Sequence, residues 1–179
     1  MIEKSFLARQ HRKHLLSYRK VKVKMKRIIG AKFHSIHRVL DMLCLNFGND
    51  VQEKDGNTIP EYSLHIQSQW RFVKGEAIIV ASRDVYIPNN PQGVDDEWEY
   101  DLVGCPDDQS SIFDVVTKDF AKEFGNATVK NVDFNVFGDL KIEFSNGIIF
   151  ETFTPSARKD EEWRFMSVYE DEHFVVFDI

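Results

Sequence analysis

The sequence predicts an α+β protein made mostly of antiparallel β-sheet: a bent sheet or half-barrel of roughly eight to nine strands with one main α-helix packed on it. Three stretches carry that expectation. Residues 137–153 alternate apolar and polar side chains on both sides of Asn146-Gly147, and Asn and Gly both tolerate the positive φ of a type I′ turn, so the stretch reads as a β-hairpin. Residues 62–72 alternate strictly, with Tyr62, Leu64, Ile66, Ser68, Trp70 and Phe72 on one side and Ser63, His65, Gln67, Gln69 and Arg71 on the other, as successive strand side chains do. Residues 110–124 place Phe113, Val116, Phe120 and Phe124 at helical spacing, giving one apolar stripe.

Along the chain, residues 1–24 form a basic arm and residues 25–179 a single domain. The arm carries Arg9, Arg12, Lys13, Arg19, Lys20, Lys22 and Lys24, and its apolar face is thin. It either attracts phosphate, of nucleic acid or an anionic surface, or lies on the acidic body. Residues 28–47 read as one or two strands, with a short helix as the alternative, and residues 48–60 as a loop rich in Asn, Asp and Gly. The 62–72 strand turns at Gly75 into Ala77–Ala81, read as a buried strand. Residues 89–108 are acidic, with Pro and Gly, and read as the most mobile loop, part of which Trp98 and Tyr100 pack down. The helix is expected to start at a Ser111 cap paired with Asp114 and to end at Gly125. Strands at 128–136, 162–169 and 174–178 complete the sheet.

With 15 Phe among 179 residues and 42% hydrophobic composition, the chain has the material for one real core, and whole-chain disorder is excluded. No apolar run approaches the roughly 18 residues that cross a bilayer, and no apolar stretch of a secretory leader follows the basic N-terminus. Cys44 and Cys105 lie far apart with no metal spacing and read as idle thiols, so a cytoplasmic protein is expected. The net charge of -6 hides an asymmetry. Residues 1–38 hold 12 Lys or Arg against one acid, and the other 141 residues hold 11 against 28 acids.

Two tripeptides repeat, Trp70-Arg71-Phe72 and Trp163-Arg164-Phe165, each setting an Arg opposite two aromatics. Glu151 lies between Ile149 and Phe153 on one strand face, where a lone carboxylate is costly to bury, so Arg71 or Arg164 is its natural partner. Two readings follow. His65, Gln67, Arg71, Glu151 and Arg164 form the polar pocket of a small-molecule binder or hydrolase with His65 as base, or the charges form structural ion pairs on a sheet face. The six His residues make no metal signature, no phosphate-cradling glycine loop or nucleophile elbow is present, and no cofactor is expected.

Four phrases in fixed order carry a likeness: Leu64-His65-Ile66-Gln67 with Trp70-Arg71; the 82–88 stretch Ser-Arg-Asp-Val-Tyr-Ile-Pro; Phe137-Gly138-Asp139-Leu140 with Phe144-Ser145-Asn146-Gly147; and Glu161-Glu162-Trp163-Arg164-Phe165. Over residues 25–178 the chain resembles a widespread family of small bacterial proteins, a domain of unknown function. Ser68 and Gln69 stand where that pattern often has Cys-Pro, so no role for that Cys carries over. Some members of the family resemble immunity proteins of toxin systems.

An acidic, aromatic-rich body without a catalytic constellation leads to a non-catalytic protein-binding protein, in the manner of an immunity protein that covers a basic toxin. Asp95, Asp96, Glu97, Trp98 and Tyr100 are its expected contact surface. Nucleic-acid binding through Arg9, Arg12, Lys13, Arg19 and Lys20 ranks lower, because the acidic body repels the same phosphates.

Overall fold

A helical segment, α1 (20–25), is the first described element and leads into a 3-10 turn at Lys26–Ile28. Val21 and Met25 lie four residues apart on one face and are buried with Ile28. The other face carries the cations: Lys24 and Arg27 each reach a different oxygen of Glu170 at 2.6 Å, and Lys22 lies 3.7 Å from Asp133. The computed structural model describes residues 20–53, 55–101, 106–107, 109–155, 161–170 and 174–176. Of the basic arm, Lys20 is therefore described and exposed, whereas Arg9, Arg12, Lys13 and Arg19, like Cys105, lie outside the described residues.

The strands are β1 (Phe33–Val39), β2 (Met42–Gln52), β3 (Thr58–Ile66), β4 (Gln69–Lys74), β5 (Ala77–Ala81), β6 (Val129–Phe134), β7 (Leu140–Phe144), β8 (Ile148–Phe153), β9 (Trp163–Ser167) and β10 (Phe174–Val176). They form two five-stranded sheets, β1-β2-β3-β9-β10 and β5-β4-β8-β7-β6, in which neighbouring strands are antiparallel. The expected antiparallel architecture is present, and it takes the form of two sheets in place of one bent sheet. Their inner faces share one core, closed by Phe33 and Phe47 against Phe144 and by Trp163 edge-on to Phe134 at 5.3 Å.

The expected 62–72 strand is two strands in different sheets. At Gln67-Ser68 the chain leaves β3 and enters β4, and both backbone N–H groups donate to the Glu162 carbonyl, at 2.9 and 3.0 Å. The burial alternation runs through this corner unbroken, with Leu64, Ile66, Ser68, Trp70 and Phe72 all buried, because both sheets turn the same side of the chain toward the shared core. Most of the expected 48–60 loop is strand, since β2 runs to Gln52 and β3 begins at Thr58. β2 runs through Gly48 with a bulge between Phe47 and Asp50, and a Cβ at Gly48 would collide with the Glu61 side chain. Ala77–Ala81 is an edge strand with Ile78 exposed, not a buried one.

The 137–153 hairpin forms, with a different turn. Ser145 and Asn146 keep negative φ and only Gly147 is positive, at 83°, while the Gly147 N–H donates to the Phe144 carbonyl at 3.1 Å. That is a three-residue connection, a type I turn closed by a left-handed glycine. The difference frees the Asn146 side chain, whose Nδ2 donates to the Glu123 carbonyl at 3.1 Å, tying the hairpin tip to the end of the helical region.

The single helix expected at 110–124 is split into α2 (Ile112–Lys118) and α3 (Phe120–Phe124) at Asp119. Its cap is as expected: the Ser111 hydroxyl accepts from the Asp114 N–H at 3.2 Å. The split lets one aromatic stripe serve two surfaces. Phe113 meets Trp70 at 5.7 Å, while Phe124 stacks on Phe33 of the first sheet and packs edge-on to Phe72 and Phe144 of the second. The helices thus bridge the gap between the sheets.

Candidate functional site: a pinned acidic loop

The five residues of the expected polar pocket are divided between the two sheets. Arg71 and Glu151 are direct cross-strand partners on β4 and β8; Nε and Nη2 of Arg71 each lie 2.8 Å from Oε2 of Glu151, and the guanidinium lies 4.9 Å from the Phe153 ring centroid. His65 and Arg164 are cross-strand partners on β3 and β9, and Arg164 makes a two-pronged contact with Glu161 at 2.6 and 2.7 Å. Each pair alternates with core residues, so each points outward from its own sheet, and the two outer faces are turned away from one another across the core. Gln67 sits at the corner, exposed. The structure therefore forms the structural ion-pair alternative, with each Arg taking its own carboxylate. Replacing Glu151 with Gln is expected to change the unfolding free energy by less than about 1 kcal/mol, because the pair is partly exposed and screened; urea denaturation checks this.

A second outward row had no signal in the sequence. His37, Cys44, His65 and Arg164 lie side by side across β1, β2, β3 and β9. Burial pushes the Cys44 thiol up to about 11, so the thiol stays neutral, and partial desolvation lowers the exposed His37 below its usual value. That is the chemistry of packing, not of a nucleophile. Among the described residues, no group of three or more His, Cys, Asp or Glu is placed to hold a metal ion, and no helix is long and apolar enough to cross a membrane.

The stretch that carries Asp95, Asp96, Glu97, Trp98 and Tyr100 is tied to the rest of the fold. The backbone at Pro88 pairs with Ser111, the Asn89 N–H donates to the Ser110 carbonyl, and the Ile112 N–H to the Ile87 carbonyl, so both ends of the loop are joined. Between them, the Trp98 indole N–H donates to the Gln109 carbonyl at 2.7 Å, and Tyr100 packs on Tyr86 with centroids 4.7 Å apart. The loop read as most mobile is thus anchored by the two aromatics expected to pack it down. The Asp95 carboxylate accepts from the Glu97 N–H at 3.1 Å, a local turn that holds the acidic tip.

The strongest anchor is one the sequence did not single out. Arg38 lies on the core-facing side of β1, level with Leu43, and its side chain is only 7% exposed. Its Nε and Nη2 take the two oxygens of Asp114 at 2.8 and 2.7 Å, Nη2 also donates to the Tyr100 carbonyl at 2.6 Å, and Nη1 donates to the Leu40 carbonyl at 2.8 Å. One guanidinium therefore joins the β1–β2 turn, the N-terminus of α2 and the acidic loop. Burial pushes the Asp114 carboxyl up, and the hydrogen bonds from Arg38 and Ser111 with the Arg38 charge outweigh it, so the carboxyl titrates below its usual value.

With the loop fixed in this way, Asp95, Asp96, Glu97, Glu99 and Asp101 are all exposed, and among the described residues none of them is in an ion pair. Elsewhere several acids are matched, among them Asp107 with Lys118, Glu143 with Lys141, Glu161 with Arg164 and Glu170 with Lys24 and Arg27. Comparison with known protein families, curated proteins and solved structures returns no match. The chemistry of the site thus rests on its own geometry.

Proposed function

We propose that this chain is a non-catalytic binding protein whose acidic 95–101 strip docks on a basic protein partner. The observation that supports this is the concentration of five exposed carboxylates, without counter-ions among the described residues, on a loop held by Arg38, Trp98 and Tyr100. Clustered like charges repel one another and draw a cation to them, and a pre-ordered loop loses little conformational freedom on docking. The acidic balance of residues 39–179 adds long-range attraction for such a partner. A basic toxin covered by an immunity protein has the required chemistry, and the phrases that resemble such a family are consistent with it. In this reading Asp95, Asp96, Glu97, Glu99 and Asp101 meet the partner, and the sheet-face ion pairs do not.

The test is affinity purification of the full chain beside a D95N/D96N/E97Q variant, followed by association kinetics with whatever basic protein is recovered. Wild type is expected to hold a basic partner that high salt releases, and the variant to associate about tenfold or more slowly, since charges of this kind act mainly on the on-rate. A partner bound equally fast by the variant at low salt, or no partner at all, rules the reading out.

A further inference from the structure

Where the chain crosses from β3 to β4, a cavity of about 610 Å³ opens between that corner, the β1–β2 turn and the 3-10 turn Ser82–Tyr86. Its volume is in the range that holds a metabolite. Trp70 and Tyr86 give it aromatic surface, and Gln67, Ser68, Asp41 and Arg83 give it polar surface. Two of these are incomplete in the fold. Ser68 is only 3% exposed, and its hydroxyl is the one buried side-chain polar atom among the described residues with no hydrogen-bond partner. A buried hydroxyl without a partner costs about 1–3 kcal/mol, so such groups call for an explanation. Arg83 is exposed, and among the described residues no carboxylate lies within ion-pair distance of it, although acids outnumber bases by 28 to 11 from residue 39 onward. The wall's own carboxylate, Asp41, is engaged by the Tyr86 hydroxyl, which donates to it at 2.9 Å. Burial first, and then Asp41, push the Tyr86 phenol up to about 12, so it keeps its proton and this donation persists through neutral pH.

We propose that this corner cavity binds a small organic anion, a molecule carrying a carboxylate or a phosphate group. Arg83 takes the anionic group, and the Ser68 hydroxyl gains from the ligand the hydrogen bond it lacks. The Trp70 and Tyr86 rings pack against the body of the ligand, and the remaining Asp41 oxygen accepts from a hydroxyl or ammonium on it. Arg suits either anion because its planar fork matches both. The site is separate from the acidic strip and does not rest on the partner reading.

The experiment is thermal unfolding and calorimetric titration of the full chain with two panels of compounds. One contains amino acids and aliphatic hydroxy- and dicarboxylates; the other contains sugar phosphates and nucleoside monophosphates. A saturable rise in Tm with one panel identifies which anion the site takes. Arg83→Gln is expected to weaken that binding at least tenfold with the unliganded Tm unchanged, since Arg83 is exposed and among the described residues has no ion-pair partner. Ser68→Ala is expected to weaken binding several-fold and to leave the unliganded Tm equal or higher, because it deletes an unpartnered hydroxyl. No Tm rise with either panel overturns the proposal, as does full-strength binding by Arg83→Gln. A Ser68→Ala protein that unfolds several degrees lower overturns it as well, by showing that the hydroxyl is already satisfied.

Discussion

Arg38→Ala is expected to destabilise the protein by about 3–5 kcal/mol, as removal of one partner from a buried ion pair does, because Asp114 is then left as an uncompensated carboxylate. The substitution also removes the donors to the Tyr100 and Leu40 carbonyls, so the acidic loop and the β1–β2 turn lose a common anchor. Arg38→Lys keeps the charge and loses the fork, and should fall between wild type and Ala. Arg38→Met with Asp114→Leu removes both charges and should cost less than Arg38→Ala alone. Urea denaturation measures all three, and a loss below about 1 kcal/mol for Arg38→Ala would show the pair to be marginal. The same pair sets a pH dependence. The Asp114 carboxyl titrates lower in the folded chain than in the unfolded one, so its contribution is full above the unfolded value near 3.9 and disappears as pH falls through the lower folded value. In Arg38→Met with Asp114→Leu, that part of the acid sensitivity is expected to vanish.

Trp163→Ala is expected to cost about 3–5 kcal/mol, the range for deleting a fully buried large aromatic. Trp163 is the largest fully buried side chain, sits edge-on to Phe134 across the two sheets, and donates its indole N–H to the Gly138 carbonyl at 2.8 Å. Trp163→Phe separates the two contributions. It keeps an aromatic ring in the core and leaves the Gly138 carbonyl without that donor, for an expected loss of about 1–3 kcal/mol. If Trp163→Phe unfolds within about 0.5 kcal/mol of wild type, the hydrogen bond contributes little and the sheets are joined by packing alone.

Three separate stretches of the sequence meet at this junction. The backbone amides of Gln67 and Ser68 meet at the Glu162 carbonyl, and the Trp163 indole reaches Gly138. The 64–71, 137–147 and 161–165 phrases thus converge where the chain changes sheet.

The amino-acid sequence by itself determined the local elements whose causes are local. The hairpin around Asn146-Gly147, the Ser111 cap and the alternation of the β-rich stretches all depend on neighbours a few positions away. The acidic composition of the 89–108 stretch was also legible in the sequence, whereas the contacts of Trp98 and Tyr100 are made with residues 11 and 14 positions away. Tertiary structure alone decided where the alternating 62–72 stretch divides, because a strand that passes between two sheets around one core keeps the same buried side. It also decided the fate of the charges. Whether Arg71, Arg164 and Glu151 meet in one pocket depends on which strands become neighbours, and β4–β8 and β3–β9 pair in different sheets. Arg38 and Asp114, 76 residues apart, show no periodic or spacing signal at all. A guanidinium finds its carboxylate through the fold, and only the folded chain brings Ser68, which among the described residues has no partner for its hydroxyl, beside Arg83, which has no counter-ion among them.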